Sequence, residues 1–329
     1  MKFLIIGLGS MGQRRIRCLK ALGYHKIIGF DLREDRRKLV SEKYATETIG
    51  NLTDVKLNDF SAMIISTPPD LHTSYAKMAV ENSLPVFIEA SVLLDDVLYL
   101  KEFNTANSYI APSCTLRFHP TIRDIKSLIK SGKYGSLSNF SYHSGQFLPD
   151  WHPWEDVKDF YVSKRLTGGA REIVPFELTW LTDVFGFPIA TKGYFAQTID
   201  VGAEIEDSYV FNMKFDKGLG SVIIDVTSRF ATRNLVVNLE KAQLRWNWEE
   251  NNLKIFEMPK KRWIVMHQPE FIADQSYNKN IGEQMYIDEI SAFINGFSNM
   301  GVYPNTIDDD IKILELLNQI ENSDGGFTQ

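Results

Sequence analysis

The chain has 329 residues, of which 44% are hydrophobic and 24% are charged, a composition typical of a soluble globular protein. At this length a single core rarely keeps growing, so we expect two domains. The net charge of −6 argues against a broad nucleic-acid-binding face. No apolar stretch approaches the ~20 residues of a membrane span, and glycines interrupt the opening apolar run too early for a signal peptide. We therefore expect a cytoplasmic protein with no nucleic-acid or membrane partner.

Strand-type and helix-type segments alternate along the first part of the chain. This alternation predicts an N-terminal α/β domain with a doubly wound parallel sheet, the Rossmann arrangement. The predicted strands are 2–6, 25–31, 61–67, 84–90 and 108–113. The predicted helices are 13–22, 33–44 and 92–106, and residues 68–82 are predicted to form a loop and then a helix.

The pattern changes after about residue 120. An amphipathic helix with Pro120 at its start is followed by runs in which apolar and polar residues alternate, which is typical of an antiparallel sheet with one solvated face. These observations predict a C-terminal α+β domain with a large, mostly antiparallel sheet. The strand-type runs are 138–147, 190–199, 207–216, 219–228, 233–240, 242–249 and 252–259, and helices are expected over 176–186, 282–299 and 306–321.

The run GLGSMG at residues 7–12 has the G-x-G-x-x-G spacing of a dinucleotide-binding turn. It follows a predicted strand and opens a predicted helix, the context that this motif requires. The first glycine permits a tight turn, the second lets the backbone approach a pyrophosphate, and the third lets helix and strand pack closely. Helix amides and the helix dipole then hold the phosphates. The predicted phosphate-binding residues are Gly7, Gly9, Ser10, Met11 and Gly12.

Asp31 ends the second strand, roughly twenty residues after the glycines, where an acidic side chain binds the adenosine ribose. It favours NAD over NADP, whereas Arg33 weakens that preference because a guanidinium can bind a 2′-phosphate. The cofactor is therefore NAD or NADP, with NAD favoured. The loop that ends the predicted strand 61–67 is either a rigid element beside the cofactor cleft or an ordinary turn. Its candidate cofactor-binding residues are Ser66, Thr67, Pro68 and His72.

Several stretches resemble the Gfo/Idh/MocA oxidoreductases, the family of glucose-fructose oxidoreductase and inositol dehydrogenase. The stretches are GLGSMGQRR, STPPDLHTSYA, PVFIEA, LRFHPTIRDIKSLIKSGKYGSL and GGAREIVPFELTWLTDVFG. They occur in the family's order and cover most of the chain. The resemblance implies a Rossmann domain over 1–119, a substrate and oligomerisation domain over 120–329, and a last helix (306–321) that returns to the Rossmann domain. It also implies hydride transfer between a nicotinamide and a carbon of a sugar or related polyol.

The chain departs from this family at both motifs that contain the family's proton-transfer residues. The family's Glu-Lys-Pro lysine, its usual acid/base, is replaced in Glu89-Ala90-Ser91, although Glu89 and Ala90 keep their predicted place beside the nicotinamide ribose. In the second motif Glu172 takes the place of an aspartate and Phe176 that of a histidine, with Glu177 as the alternative alignment. Alcohol oxidation removes a hydroxyl proton as the hydride leaves, so another group has to accept that proton.

The stretch from 145 to 172 resembles a segment of family members associated with nonulosonic acid or surface-polysaccharide sugars. Its aromatic side chains suit a sugar face, and its cations suit a carboxylate or phosphate. Packing or other structural roles remain open for its tryptophans and histidines. The candidate substrate residues are Arg117, Trp151, Arg171, Glu172 and Phe176, and the candidate catalytic replacements are His119, His152, Tyr161 and Lys164. Cys18 and Cys114 lack metal-ligand spacing, so no metal is expected.

Three functional hypotheses follow. The first is an NAD(P)-dependent oxidoreductase of a sugar, nucleotide sugar or polyol, with a nonstandard proton donor. The second is a cofactor- or sugar-binding sensor or regulatory protein without turnover. The third is a reductase like the biliverdin-reductase branch, whose substrate needs no strong protein acid. The open antiparallel sheet also predicts a homodimer or homotetramer formed through its solvated face.

Overall fold

The computed structural model describes residues 1–103, 108–151, 156–250, 252–268 and 282–324. They divide into two compact units, one formed by Met1–Thr115 with Glu283–Lys312 and the other by Leu116–Gly282 with Ile313–Gln329. The last helix contributes residues to both units. The predicted domain limits, 1–119 and 120–329, stay predictions.

The N-terminal unit is built on a six-stranded sheet in which every pairing is parallel. Its strand order is β3-β2-β1-β4-β5-β6, so the direction of strand succession reverses between β1 and β4. The strands β1, β2, β4 and β5 are buried apolar runs, as expected for a parallel sheet covered on both faces. The six strands are β1 (Phe3–Ile6), β2 (Ile27–Phe30), β3 (Glu47–Ile49), β4 (Ala62–Ile65), β5 (Val86–Ile88) and β6 (Ile110–Pro112).

Helices connect these strands, and one helix from the far end of the sequence joins the same unit. The connecting helices are α1 (Ser10–Ala21), α2 (Glu34–Tyr44), α3 (His72–Glu81) and α4 (Leu94–Glu102), and the late helix is α7 (Gln284–Phe297). Ile290 and Phe293 of α7 are fully buried in the unit. The ring of Phe293 packs edge-on against Phe87 of β5, with 5.7 Å between the ring centroids. The apolar face of α7 thus completes the core of the parallel sheet.

The C-terminal unit is built on an eight-stranded sheet with the order β14-β13-β12-β11-β7-β10-β9-β8. All neighbours are antiparallel except β7 and β10, which run parallel. The strands are β7 (Leu137–Phe147), β8 (Ala190–Ala196), β9 (Ser208–Lys214), β10 (Leu219–Asp225), β11 (Thr227–Leu239), β12 (Ala242–Asn247), β13 (Asn252–Glu257) and β14 (Arg262–His267).

One face of this sheet is buried. The unit contains helix α5 (Pro120–Lys130), helix α6 (Gly169–Phe185) and the end of α8 (Ile307–Asn322). Trp180 of α6 is fully buried and packs edge-on against Tyr142 of β7, with 5.1 Å between ring centroids. The alternation of β7 places Phe140 and Tyr142 on this buried face.

The opposite face of the sheet carries exposed apolar side chains. Tyr194, Val210 and Ile223 lie directly opposite one another on β8, β9 and β10 and are 40%, 43% and 39% exposed. His143 continues the same row on β7. Among the described helices, none combines the length and the apolar character that a bilayer crossing needs.

The observed elements differ from the predicted ones in several places, among them β3, β14, the start of α6 and the start of β11, which is Thr227 where residue 233 was predicted. Strands β3 and β14 were not predicted, because β3 has three residues and β14 lies at a sheet edge with mostly exposed side chains. Helix α6 begins at Gly169, well before the predicted start at 176. Pro175 lies inside this helix, where proline is normally disfavoured, and burial of the surrounding turn overrides that preference.

Candidate functional site

The glycine turn after β1 leaves an open backbone surface at the start of α1. A Cβ on Gly12 would lie 1.9 Å from the Gly7 carbonyl oxygen, and one on Gly7 (φ +88°) would lie 2.6 Å from the Ser66 carbonyl oxygen. By contrast, the nearest described atom to a Cβ on Gly9 is Arg36 Nη1, at 3.7 Å. The first and third glycines thus serve close packing, while a Cβ at the second would make only an ordinary van der Waals contact, with Arg36. Ser10 and Met11 form the adjacent first turn of α1.

Asp31 lies next to this turn, at the carboxyl end of β2. Its carboxylate accepts hydrogen bonds from the backbone N–H of Leu8 (2.8 Å) and of Arg33 (2.9 Å). The side chain of Arg33 instead pairs with Asp35 in an exposed ion pair of 2.7 Å. Of Arg33 and Arg36, Arg36 lies nearer to the Asp31 carboxylate, with 3.8 Å between Nη1 and Oδ2, and Arg37 donates to the Asp31 backbone carbonyl (2.8 Å). These contacts fix the Asp31 carboxylate beside the glycine turn.

The loop after β4 runs along the same edge of the sheet. Ser66 and Thr67 follow the strand, Pro68 leads into a short 3₁₀ turn, and His72 begins α3. The His72 Nε2 atom lies 2.8 Å from the Thr67 carbonyl oxygen. Burial lowers the pKa of His72, so the ring is neutral and its Nε2–H donates to that carbonyl. His72 therefore holds the backbone of this loop in place.

Glu89 directly follows β5, and its carboxylate is held by residues of the same unit. It accepts two hydrogen bonds from Arg15, at 2.6 Å to Oε1 and 2.8 Å to Oε2, and a third at 3.3 Å from Ser66 Oγ. Ala90 follows and is partly exposed. The carboxyl ends of β1, β2, β4 and β5 thus present the glycine turn, Asp31, Ser66 and Glu89 along one edge.

In the C-terminal unit, two predicted residues meet at the start of α6. Tyr161 Oη donates a hydrogen bond of 2.7 Å to Glu172 Oε1. Glu172 is partly exposed as a residue, but its Oε2 atom is buried and has no hydrogen-bond partner among the described residues. Burial raises the pKa of Glu172 to about 7, although the hydrogen bond from Tyr161 acts in the opposite direction. This carboxyl group therefore gains and loses its proton near neutral pH.

His119 lies in a different environment, inside the C-terminal core. It is 3% exposed, and its ring centroid lies 5.2 Å from that of Trp246 and 5.1 Å from that of Trp248. Burial, with the charge of Arg233, lowers the pKa of His119 to about 3. The ring is therefore uncharged at neutral pH and has no acidic proton to donate. This place in the core fits a packing role.

The remaining predicted residues of the C-terminal unit make separate contacts. Arg171 pairs with Glu321 of α8 (2.8 Å), and Arg117 Nε donates to the Thr179 carbonyl oxygen (3.0 Å). Trp151 Nε1 is buried without a partner among the described residues. Lys164 is exposed and Phe176 is partly exposed. His152 lies outside the described residues.

Sequence comparison identifies the N-terminal part of the chain. Residues 1–95 match the model of the oxidoreductase family with an NAD-binding Rossmann fold, GFO_IDH_MocA. Over these residues the chain is similar to the Gfo/Idh/MocA oxidoreductases. None of the curated proteins matches the chain in sequence.

Solved structures share the fold over nearly the whole chain. An oxidoreductase from Agrobacterium radiobacter in complex with NAD+, L-tartaric acid and magnesium superposes with a TM-score of 0.84 at 14% identity, covering 98% of this chain and 96% of that one. Levoglucosan dehydrogenase with NADH and levoglucosan gives a TM-score of 0.84 at 13% identity, with the same two coverages of 98% and 96%. UDP-N-acetylglucosamine 3-dehydrogenase from Acidithiobacillus ferrooxidans gives 0.76 at 14% identity, with coverages of 98% and 97%. At these identities the likeness shows the fold.

The comparisons confirm the coarser predictions. The two-part fold, with a parallel Rossmann sheet and a large, mostly antiparallel sheet, is confirmed. The resemblance to the Gfo/Idh/MocA oxidoreductases and the nicotinamide cofactor are confirmed at the level of the family. The roles of individual residues and the preference for NAD over NADP stay predictions.

Two residues beside this edge of the parallel sheet were not predicted from the sequence. Arg15 and Arg36 are in amphipathic or charged helices and were expected at the surface, yet Arg15 is fully buried and Arg36 lies beside Asp31. In the C-terminal unit Glu177, the predicted alternative to Phe176, is fully buried and accepts hydrogen bonds from Tyr142 and Arg233. The position of Arg15 on the apolar face of its helix was the sequence feature that could have indicated its burial. Within the described ranges, no group of three or more His, Cys, Asp or Glu side chains has the arrangement to hold a metal ion.

Proposed function

We propose that the chain is an NAD(P)-dependent oxidoreductase that moves a hydride between a nicotinamide and a carbon of a sugar, nucleotide sugar or related polyol. The observation that carries the proposal is one edge of the parallel sheet, where the glycine turn, Asp31 and Glu89 lie at the carboxyl ends of β1, β2 and β5. A role in surface-polysaccharide sugar metabolism and a cytoplasmic location remain part of the proposal.

The residues of this edge fit a dinucleotide. The uncrowded backbone at Gly9 and the N-terminal amides of α1 suit a pyrophosphate. Asp31 suits the adenosine ribose hydroxyls, and Glu89 suits those of the nicotinamide ribose. When bound, the cofactor accepts or supplies the hydride. The chain itself binds the phosphates, orients both riboses and exchanges the proton.

For the proton we propose the pair of Tyr161 and Glu172. Oxidation of a secondary alcohol forms a carbonyl as the carbinol hydride leaves, and a base has to accept the hydroxyl proton. In reduction an acid has to supply that proton. Glu172 has a buried oxygen without a described partner and a pKa of about 7, which suits an acid/base at neutral pH. Tyr161 orients the carboxyl through its hydrogen bond.

The levoglucosan and UDP-N-acetylglucosamine dehydrogenases with the same fold suggest the first substrates to test. The purified protein is mixed with NAD+ or NADP+ and with levoglucosan, UDP-N-acetylglucosamine or a set of simple polyols, and formation of reduced nicotinamide is followed by absorbance. We expect turnover with at least one substrate. We expect Glu172→Gln to lower the rate at least about a hundredfold, the usual contribution of a general acid/base.

The same assay separates the alternative functions. Normal cofactor binding without turnover on any sugar favours the sensor or regulatory protein. Reduction of a conjugated or imine acceptor without alcohol oxidation favours the reductase that needs no strong protein acid. Both alternatives are tested because Ala90 stands where the resemblance places the family's lysine.

A further inference from the structure

Arg15 is a fully buried cation in the N-terminal unit. Its guanidinium is bidentate to Glu89, with 2.6 Å from Nε to Oε1 and 2.8 Å from Nη2 to Oε2. The guanidinium carbon lies 4.5 Å from the centroid of the Phe87 ring, which shields one face. Burial alone would lower the pKa of Arg15, but the two carboxylates beside it raise that pKa well above its ordinary value. Arg15 is thus a permanent cation in a fixed place.

The second carboxylate beside Arg15 is Glu289 of α7. Its Oε2 lies 2.9 Å from Arg15 Nη1, and both side chains are completely buried. The carboxylate also accepts four hydrogen bonds within the unit. Its hydrogen-bond donors are Ser113 Oγ, the Cys114 backbone N–H, Thr115 Oγ1 and Tyr303 Oη.

The two carboxylates beside Arg15 differ in their exposure to solvent. Glu289 is completely buried, whereas the Glu89 side chain is 13% exposed. Among the described residues, Glu89 Oε2 receives one hydrogen bond, from Arg15, and a carboxylate oxygen has two lone pairs, so an exposed acceptor position remains. The buried carboxylate forms an ion pair with the guanidinium, and the guanidinium holds the partly exposed carboxylate.

Glu89 stands at the end of β5, on the side of β1 opposite to β2 and Asp31. A dinucleotide in an open parallel sheet lies across the point where strand order reverses, so its two halves meet different strands. With the adenosine half at Asp31, the nicotinamide half falls at the ends of β4 and β5. Glu89 is the carboxylate at that end.

We propose that Arg15, itself held by Glu289, is a positioning residue that fixes the Glu89 carboxylate to accept hydroxyls of the nicotinamide ribose. The inference rests on the proposed cofactor site and adds the residues that orient it. It also accounts for the cation beside Glu89 in a chain that has Ala90 in place of the family's lysine. Because a guanidinium does not lose its proton, Arg15 orients this edge and leaves proton exchange to another group.

The test compares Arg15→Lys with Arg17→Lys in the full-length protein. Arg17 is on the same helix and pairs with Glu283 at the start of α7 (Nε to Oε1, 2.8 Å), but it does not contact Glu89. Lysine keeps the charge in both variants and loses the planar fork that spans two carboxylate oxygens. Kd values for NADH and for ADP are measured by fluorescence or calorimetry, and urea unfolding shows that each variant is folded.

We expect Arg15→Lys to raise the Kd for NADH about tenfold, the loss of one charge-assisted hydrogen bond. ADP lacks the nicotinamide ribose, so its Kd stays within about twofold. Arg17→Lys changes neither Kd. Unchanged NADH binding in Arg15→Lys, or an equal loss of NADH and ADP, overturns the proposal and leaves Arg15 as a packing residue.

A double-mutant cycle shows whether Arg15 acts through Glu89. In a Glu89→Gln background, Arg15→Lys is expected to cause no further loss of NADH affinity, whereas losses that multiply contradict the proposal. If Arg15→Lys does not fold, Glu89→Gln alone decides: a selective loss of NADH supports the proposal, and an equal loss of both ligands or of neither overturns it. These readouts need no substrate. Wild-type NADH binding without sugar turnover refutes the proposed function alone, and absent NADH binding refutes both.

Discussion

Tyr161 Oη and Glu172 Oε1 are joined by a hydrogen bond of 2.7 Å at the start of α6. The sequence suggests separate roles for these residues, one as a catalytic replacement and the other as a substrate contact. In the structure they form one pair, in which a tyrosine hydroxyl orients a carboxyl group whose Oε2 atom is buried and has no hydrogen-bond partner among the described residues. This pair is the one that we propose for proton exchange.

The raised pKa of Glu172 predicts a pH-dependent stability. Its folded-state pKa of about 7 exceeds the ordinary value of 4.5, so the group's contribution is fully present below pH 4.5 and is lost as the pH rises to 7. A shift of this size corresponds to about 3 kcal/mol. We expect the free energy of unfolding of Glu172→Gln, relative to wild type, to rise by about that amount from pH 4 to 8 in urea titrations. A difference that stays constant over this range would contradict the prediction.

Tyr161→Phe is the matched variant for this titration. The tyrosine hydrogen bond lowers the pKa of Glu172, so its removal raises that pKa above 7. The pH at which stability falls is therefore expected to move upward, and in the proposed reaction the pH at which alcohol oxidation reaches half its maximum moves with it. A downward shift in either midpoint would show that Tyr161 does not favour the ionised carboxylate.

Gly9 and Gly12 are predicted to fail in different ways when changed to alanine. A Cβ on Gly12 meets the Gly7 carbonyl oxygen at 1.9 Å, so Gly12→Ala is expected to lower the melting temperature strongly. Gly9 has φ −68°, which alanine adopts, and a Cβ there would make only an ordinary van der Waals contact. Gly9→Ala is therefore expected to keep its melting temperature but to raise the Kd for NADH at least about tenfold, by blocking the pyrophosphate. Equal thermal destabilisation of both variants would contradict this assignment.

Arg36, rather than Arg33, is predicted to be the cation that tolerates a 2′-phosphate. Arg36 Nη1 lies 3.8 Å from Asp31 Oδ2, whereas the Arg33 guanidinium pairs with Asp35. We expect Arg36→Ala to raise the Kd for NADPH about tenfold and that for NADH much less, because a guanidinium–phosphate hydrogen bond is charge-assisted. Arg33→Ala is the control and should leave both values unchanged. Weaker NADPH binding in Arg33→Ala alone would restore the role suggested by the sequence.

The elements that the sequence predicts well are those with a strong periodic signal. The buried runs of β1 and β4, and the alternation in β9 and β10, correspond to strands at nearly the predicted residues. The parallel pairing of β7 with β10 has no local signature, because it joins strands distant in sequence. The early start of α6 was concealed by Pro175, whose local preference opposes a helix that its buried surroundings stabilise.

The residues proposed to bind the cofactor likewise divide into those that a short-range sequence pattern predicts and those that it does not. The glycine turn and Asp31 lie within one strand–helix–strand unit, so their spacing reveals the turn and its acidic partner. The Arg15 and Glu289 contact joins the first helix to a helix near the end of the chain. No short-range sequence pattern predicts such a contact.

The exposed face of the eight-stranded sheet predicts self-association. Tyr194, Val210 and Ile223 form a continuous apolar row with its side chains about 40% exposed, and such rows commonly pack against a second copy. We expect wild type to sediment as a dimer or tetramer and Ile223→Glu to sediment as a smaller species, because the introduced charge would be buried at the interface. Val302→Glu adds the same charge at a 92% exposed residue of the other unit and should leave the assembly unchanged. A monomeric wild type, or an unchanged assembly in Ile223→Glu, would show that this face is not the contact.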